Sequence, residues 1–424
     1  MIFWGLITSF ICFVIAFFSR KNKMSPIFVF PMFIGVVTFF ANFQLWGLPS
    51  ASSIVYLMIL CGVVFFALGG SLVKPVVTHS KVKYTYRTKL LFVVVSLLLV
   101  WGVYKLLTIS LPLLLMGESL NAVRGVYFGQ EVEGISHNSW DDFIEIYLNK
   151  PTEYALIPIV AYEMAKKRED RLLSFKLMVM CIVLIILSTL NTGGRFMLVL
   201  FMLVIAGAFI LRKIDNKKYH IFEKNKIKSK NKKVWLVVVV CILGYSLYWL
   251  STNRTGEQGS YDFGKTIYMN YCGCIPHMSE KLIKIDYTYG ATFLQGISRP
   301  IMLLYKYLLG EGMFPDFYQR AINIAQILNS EVYWGDTVFN AYVMPFYYFY
   351  WDGGIVAVIL ESFVYGFFCM KIYVKRKMSV LYDVKYLLIL LYLLASTVWF
   401  APYFIYFVLA YFYINIFLKK CLNQ

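Results

Sequence analysis

Charge is what this chain has least of. Only 15% of its 424 residues are Asp, Glu, Lys or Arg, against 60% apolar and 18% aromatic. A soluble domain carries roughly a quarter charged residues, so a water-soluble globule of this length is excluded. Acids are scarcest, 23 against 41 Lys and Arg, for a net charge of +18. That surplus would suit nucleic acid, but the basic residues sit in short loops between apolar runs, where they act as orientation signals. The expected partner is a lipid bilayer and not nucleic acid. Six of the eight cysteines fall in apolar runs or at the basic C-terminal end, which implies no disulfide framework. A phosphate-binding glycine loop, an acidic pair in a large cytosolic region, an internal repeat and a low-complexity tract are all missing. Any reaction must therefore draw its energy from a substrate that arrives activated. The first apolar run has no basic leader and no small-residue cleavage site, so it is expected to be a span and not a signal peptide.

What is present is a series of apolar runs of bilayer-crossing length. They cover 2–19, 27–42, 53–72, 90–116, 154–165, 172–190, 196–211, 234–250, 353–373 and 386–417. The last is too long for one span, and Ala401-Pro402 offers a hairpin point. The expected fold is all-α and polytopic, with about eleven transmembrane helices, ten to twelve being the range. Basic loops alternate with neutral or acidic ones, and the basic set holds most of the Lys and Arg but few of the acids. The positive-inside rule then puts the N-terminus outside and the C-terminus in the cytoplasm. Three regions result: helices in 1–250, with a basic cytoplasmic loop at 212–233; a large external loop at 251–352; and C-terminal helices in 353–424.

Two external segments, 117–150 and 251–352, are too long to be plain connections. The second has too many aromatics to be disordered. Within it, 301–310 (IMLLYKYLLG) is too short to span and reads as interfacial or re-entrant.

Arginine on the external side is the most informative feature, because topology does not ask for it there. Arg124, Arg195, Arg254, Arg299 and Arg320 all fall on that side. A guanidinium fork suits phosphate oxygens. Arg195 ends Asn191-Thr192-Gly193-Gly194-Arg195, a short turn opening a helix, where free N–H groups add positive potential for an anion such as pyrophosphate. Arg254 and Arg299 are the companion candidates. External acids and aromatics could meet a sugar: Tyr261, Asp262, Trp334 and Asp352 as glycan contacts, and Asp336, His277 and Glu280, in that order, as the base for an attacking hydroxyl. Cys272-Gly273-Cys274 with His277 mimics a metal corner but lacks a distant partner set, so no metal and no cofactor is expected. Inside spans, Glu361 is costly and suggests function; Lys105 is expected to snorkel.

Three stretches carry a resemblance: 191–197 (NTGGRFM); 266–300, with Tyr268, Tyr271, Tyr287, Gly290-Ala291-Thr292-Phe293 and Arg299-Pro300; and 335–366, with Asp336, Asn340, Asp352-Gly353-Gly354 and Gly366. On these the chain resembles the Wzy-type O-antigen and capsule polymerases, also called oligosaccharide repeat-unit polymerases. Arg299 to Gly310 fits the arginine-x10-glycine pattern of some members. Arg254 to Gly264 is one residue short, and Asp352-Gly353-Gly354 replaces a commoner aspartate-aromatic-glycine. The resemblance implies a GT-C-like helical architecture in the bacterial inner membrane. It implies a donor glycan on undecaprenyl pyrophosphate, a lipid-linked repeat unit as acceptor, and a chain-length-determinant protein and a flippase as partners. An O-antigen-ligase-like transferase and a polysaccharide flippase are the alternative readings.

Overall fold

The computed structural model describes residues 2–75, 82–117, 120–127, 139–192, 196–219, 263–282, 286–308, 314–334, 337–339 and 342–421. The expected span at 234–250 lies outside them, as does most of the 212–233 loop. Among the described residues the chain is mostly helical. The long helices are α1 (Ile2–Phe18), α2 (Pro26–Ala41), α3 (Ser53–Ser71), α4 (Thr88–Lys105), α8 (Lys150–Ala165), α9 (Phe175–Asn191), α10 (Phe196–Tyr219), α15 (Pro345–Lys375), α16 (Val380–Leu394) and α17 (Ile405–Phe417). Shorter ones fill the connections: α5 (Leu111–Leu115), α6 (Leu120–Tyr127), α7 (Ser139–Ile144), α11 (Phe263–Cys272), α12 (Cys274–Glu280), α13 (Gln295–Leu308) and α14 (Asp316–Asn329). Among the described residues four helices are long and apolar enough to cross a bilayer: Ser53–Ser71, Thr88–Leu115, Met197–Asp215 and Pro345–Lys375. Four shorter apolar helices, α1, α2, α9 and α17, accompany them. Large apolar side chains such as Phe10, Leu97, Val100 and Val356 point outward, as lipid-facing residues do.

The chain divides into two compact units, each discontinuous in sequence: 1–81 with 262–409, and 82–261 with 410–424. In the first, α3 and α15 pack closest of all, and glycine permits it. A Cβ on Gly69 would stand 2.0 Å from the Phe363 carbonyl oxygen, and one on Gly366 would stand 2.0 Å from that of Phe66. Lipid gives helices no hydrophobic reason to associate, so close backbone approach at small residues supplies the dispersion contacts instead. α16 is apolar all round beyond Lys385 and buried along nearly its whole length, the pattern of a central helix. The expected hairpin point is a 3-10 turn, Ala401–Tyr403, between α16 and α17.

In the second unit α8 is almost wholly buried against α9 and α10. It begins at Lys150, four residues before the apolar run that marks it in the sequence. A two-stranded antiparallel ladder pairs β1 (Tyr84–Tyr86) with β4 (Leu418–Lys420), placing Tyr84 opposite Lys420. Both strands come from stretches read as basic loops of one side. Arg212 likewise reaches the Ala165 carbonyl oxygen at 2.8 Å and Asp170 at 3.1 Å.

Two turns in this unit are π-helical, Leu106–Ser110 and Glu145–Asn149. Each precedes a proline, Pro112 and Pro151, which cannot donate to the carbonyl four residues back and whose ring crowds it. Widening the turn relieves the clash while keeping the chain helical.

The glycine contact sets a measurable expectation. Gly366→Ala should destabilise the first unit by about 1–3 kcal/mol, the usual cost of overpacking. Thermal unfolding in detergent would read it, and an unchanged melting temperature would mean that α3 and α15 do not touch there.

Candidate functional site

Asp352 sits where α15 breaks. Gly353 and Gly354 depart from helical geometry, Gly354 with φ 65°, so the helix cannot close its own hydrogen bonds at that point. The segment 287–293 repairs the gap. The N–H of Thr288 donates to the Trp351 carbonyl at 2.9 Å and that of Tyr289 to the Asp352 carbonyl at 3.1 Å. The buried Asp352 carboxylate in turn accepts the Thr292 N–H at 2.9 Å, the Phe293 N–H at 2.7 Å and the Thr288 hydroxyl. The first two are charge-assisted bonds that fix the entry to α13. Glu361, two turns further along α15, interacts with the same carboxylate. Asp352, expected at a glycan, is therefore enclosed and clamps a loop to a helix break.

His277 and Trp334 come together through Phe339. Trp334 closes strand β2 (Val332–Trp334), which pairs with β3 (Thr337–Phe339). Its indole stacks on the Phe339 ring at 4.8 Å, and the His277 imidazole meets the other edge of that ring at 5.2 Å. His277 has no exposed surface. Its Nδ1 lies 2.9 Å from the Tyr342 carbonyl oxygen, which requires the proton on Nδ1 and leaves the lone pair on Nε2. Burial pulls its pKa down to about 4, against the hydrogen bond to Tyr342. The imidazole is neutral, enclosed and a weak base. Glu280, at the end of α12, is exposed. The two thiols of the Cys-Gly-Cys corner donate to backbone carbonyls, Cys272 to Val37 and Cys274 to Tyr271. Among the described residues no three His, Cys, Asp or Glu are placed to hold a metal ion.

Arg299 is exposed on α13. The same helix exposes Ile297, Ile301, Leu304 and Leu308, 58%, 64%, 58% and 73% accessible, at spacings that make one apolar stripe. Arg299 also stands close to Tyr403 and Tyr406. Arg299 and Lys306 fall on the opposite face, so the helix has the two-faced pattern of interfacial helices. The remaining sequence-stated positions, Arg195, Arg254, Asp336, Tyr261 and Asp262, lie outside the described residues.

The second unit holds a cavity of about 50 Å³ that sequence reasoning missed. Both π turns border it, through Ile109 and Ser110 on one and Glu145 and Asn149 on the other. Lys105 does not snorkel: its ammonium pairs with Asp141 at 2.5 Å and stands 5.1 Å from the Trp101 ring. Asn191 and Thr192, which open the turn leading to Arg195, also line it. Asn191 is held by the Gly102 carbonyl at 2.8 Å and the Ser110 hydroxyl at 3.2 Å. The signal in the sequence was the pair of prolines, each just downstream of polar residues at a span end.

Comparison with family models, with curated proteins and with solved structures finds no match for this chain in any of the three.

Two outcomes follow for the first unit. Asp352→Ala strands the buried Thr292 N–H, at about 1–3 kcal/mol, and the half-buried Phe293 N–H; hydrogen exchange of 287–294 should quicken at least tenfold, and unchanged protection would rule out the clamp. For His277, an unfolded chain takes up a proton below the ordinary 6.5 that the folded chain refuses until about 4. Stability is thus full above 6.5 and falls as the pH drops toward 4. His277→Asn should flatten that part of the melting-temperature profile.

Proposed function

We propose that this protein is a glycosyltransferase that polymerises undecaprenyl-pyrophosphate-linked oligosaccharide repeat units into O-antigen or capsular polysaccharide, at the outer leaflet of the bacterial inner membrane. The observation that carries the reading is Arg299, exposed on an amphipathic helix whose apolar stripe is open. A polyprenyl anchor holds its pyrophosphate at headgroup depth, and an interfacial helix holds its arginine at the same depth. The resemblance in 191–197, 266–300 and 335–366 supports the same reading.

In this reaction a hydroxyl of the lipid-linked acceptor attacks the anomeric carbon of the donor, the glycosidic bond to pyrophosphate breaks, and undecaprenyl pyrophosphate leaves. Arg195, Arg254 and Arg299 stabilise the charge that develops on the leaving group. Asp336 remains first choice as the base that takes the hydroxyl proton. Glu280 is exposed, whereas His277 has to uncover its Nε2 before it meets a substrate.

One observation favours a second reading, a transporter for the same lipid-linked glycan: the Lys105–Asp141 pair beside other acids within a helical unit. A ligase-like transferase would share the arginines.

Deleting the gene in its native host separates these readings. Surface glycan should collapse to single repeat units; accumulation of lipid-linked units inside, with none at the surface, would point to the transporter or ligase. In complementation, Arg299→Ala and Arg195→Ala should insert normally and lose long chains, about a hundredfold or more in rate for one missing electrostatic contact. Normal chain length with either variant removes that arginine from the site.

A further inference from the structure

We propose that the cavity of the second unit is a subsite for the hydroxyls of one sugar ring of a lipid-linked glycan, with Glu153 and Asn149 as the accepting groups; the identity of the glycan carrier rests on the reading above. The two residues lie four apart on one helical face, so their side chains meet the same space. Glu153 is 2% exposed and Asn149 is 7% exposed, yet Glu153 Oε1 and Asn149 Oδ1 have no hydrogen-bond partner. Neither orphan is an orientation artefact. The Asn149 amide nitrogen is committed to the Glu145 carboxylate, at 3.3 and 3.1 Å, so its oxygen is the free end. Buried acceptors without donors are costly, and both of these line the cavity.

The surrounding charge selects among ligands. Asp141, Asp142 and Glu145 outnumber the Lys105 ammonium on the wall, which disfavours phosphate and pyrophosphate. No three of these groups, nor any other described His, Cys, Asp or Glu, are arranged to hold a metal ion. What fits is a neutral group rich in O–H donors. The Trp101 indole borders the space and has a buried Nε1 without a partner, so the site also offers one donor to a hydroxyl or ring oxygen. A volume of about 50 Å³ holds about three waters, or the hydroxyl edge of one ring, and not a disaccharide. The pyrophosphate end must then lie elsewhere, and the cavity takes the glycan end.

The test measures binding, not chain length. Full-length protein in lipid nanodiscs is titrated with lipid-linked repeat units extracted from the native host, and in parallel with bare polyprenyl pyrophosphate. Wild type should bind the sugar-bearing lipid at least tenfold more tightly than the bare one. In Glu153→Gln, Ser188, which stands beside the Glu153 carboxyl, keeps the amide oxygen, so an N–H₂ replaces the acceptor facing the cavity. That variant should lose most of the tenfold preference while binding bare lipid as before. Asn149→Ala removes the other acceptor, should act in the same direction, and decides the matter if Glu153→Gln fails to insert. Equal affinity of wild type for the two lipids, or variants that keep the sugar preference, overturns the subsite. Collapsed chains on gene deletion together with an intact preference in Glu153→Gln would sink the subsite alone. A preference lost in the variant, with normal chains on deletion, would sink only the polymerase reading.

Discussion

A peptide group inside hydrocarbon has no water to turn to, so a helix that breaks there must be mended by the protein itself. Among the described residues, helices are disturbed near Pro112, near Pro151 and at the Gly353-Gly354 pair, and the prolines and the glycines are accommodated differently. The prolines are absorbed by π turns that keep the helix continuous. The glycine pair is closed from outside, by the N–H groups of Thr288 and Tyr289 bonding to the stranded carbonyls, with the Asp352 carboxylate returning the favour to Thr292 and Phe293. Both candidate regions grow from these repairs. The clamp sets where α13 starts, and so where Arg299 stands. The π turns set how far Ser110 and Asn149 are pushed toward the cavity.

The chemistry of the two regions is complementary in sign. Arg299 offers an exposed cation on the face of α13 opposite the apolar stripe, suited to an anionic headgroup. The cavity offers carboxylates and amides behind a single ammonium, suited to hydroxyls.

Much of the helical layout was legible in the sequence, because apolar runs of bilayer length leave little else to form. The runs at 2–19, 27–42 and 53–72 match α1, α2 and α3 to within a residue or two, and Ala401-Pro402 marked the turn before α17. The apolar run 154–165 is short for a span, and α8 reaches back to Lys150 because Glu153, which looks like a loop residue, is buried. Glu153 is tolerated there partly because Ser188, distant in sequence, stands beside it, which no local pattern discloses. Asp352 stands out in the sequence as an acid beside two glycines among aromatics, which suggested a glycan contact. Its partners, Thr292 and Phe293, lie sixty residues upstream, so its role as a clamp could not be read locally. Lys105 shows the same limit. Alone in an apolar run it reads as a snorkelling lysine, and only the fold brings Asp141 to it.

The small ladder between β1 and β4 bears on how the second unit comes into being. Residues 84–86 leave the ribosome early, and the strand that pairs with them, 418–420, comes after nearly all of the remaining helices have been inserted. The Arg87 N–H, which bonds to the Phe417 carbonyl at 2.8 Å, waits equally long. Through most of synthesis the N-terminal edge of this unit is therefore open, while the residues of α11 to α16 are made between its two sequence segments. Translation order and spatial order disagree, which makes this unit the last to close and its closure a single late event.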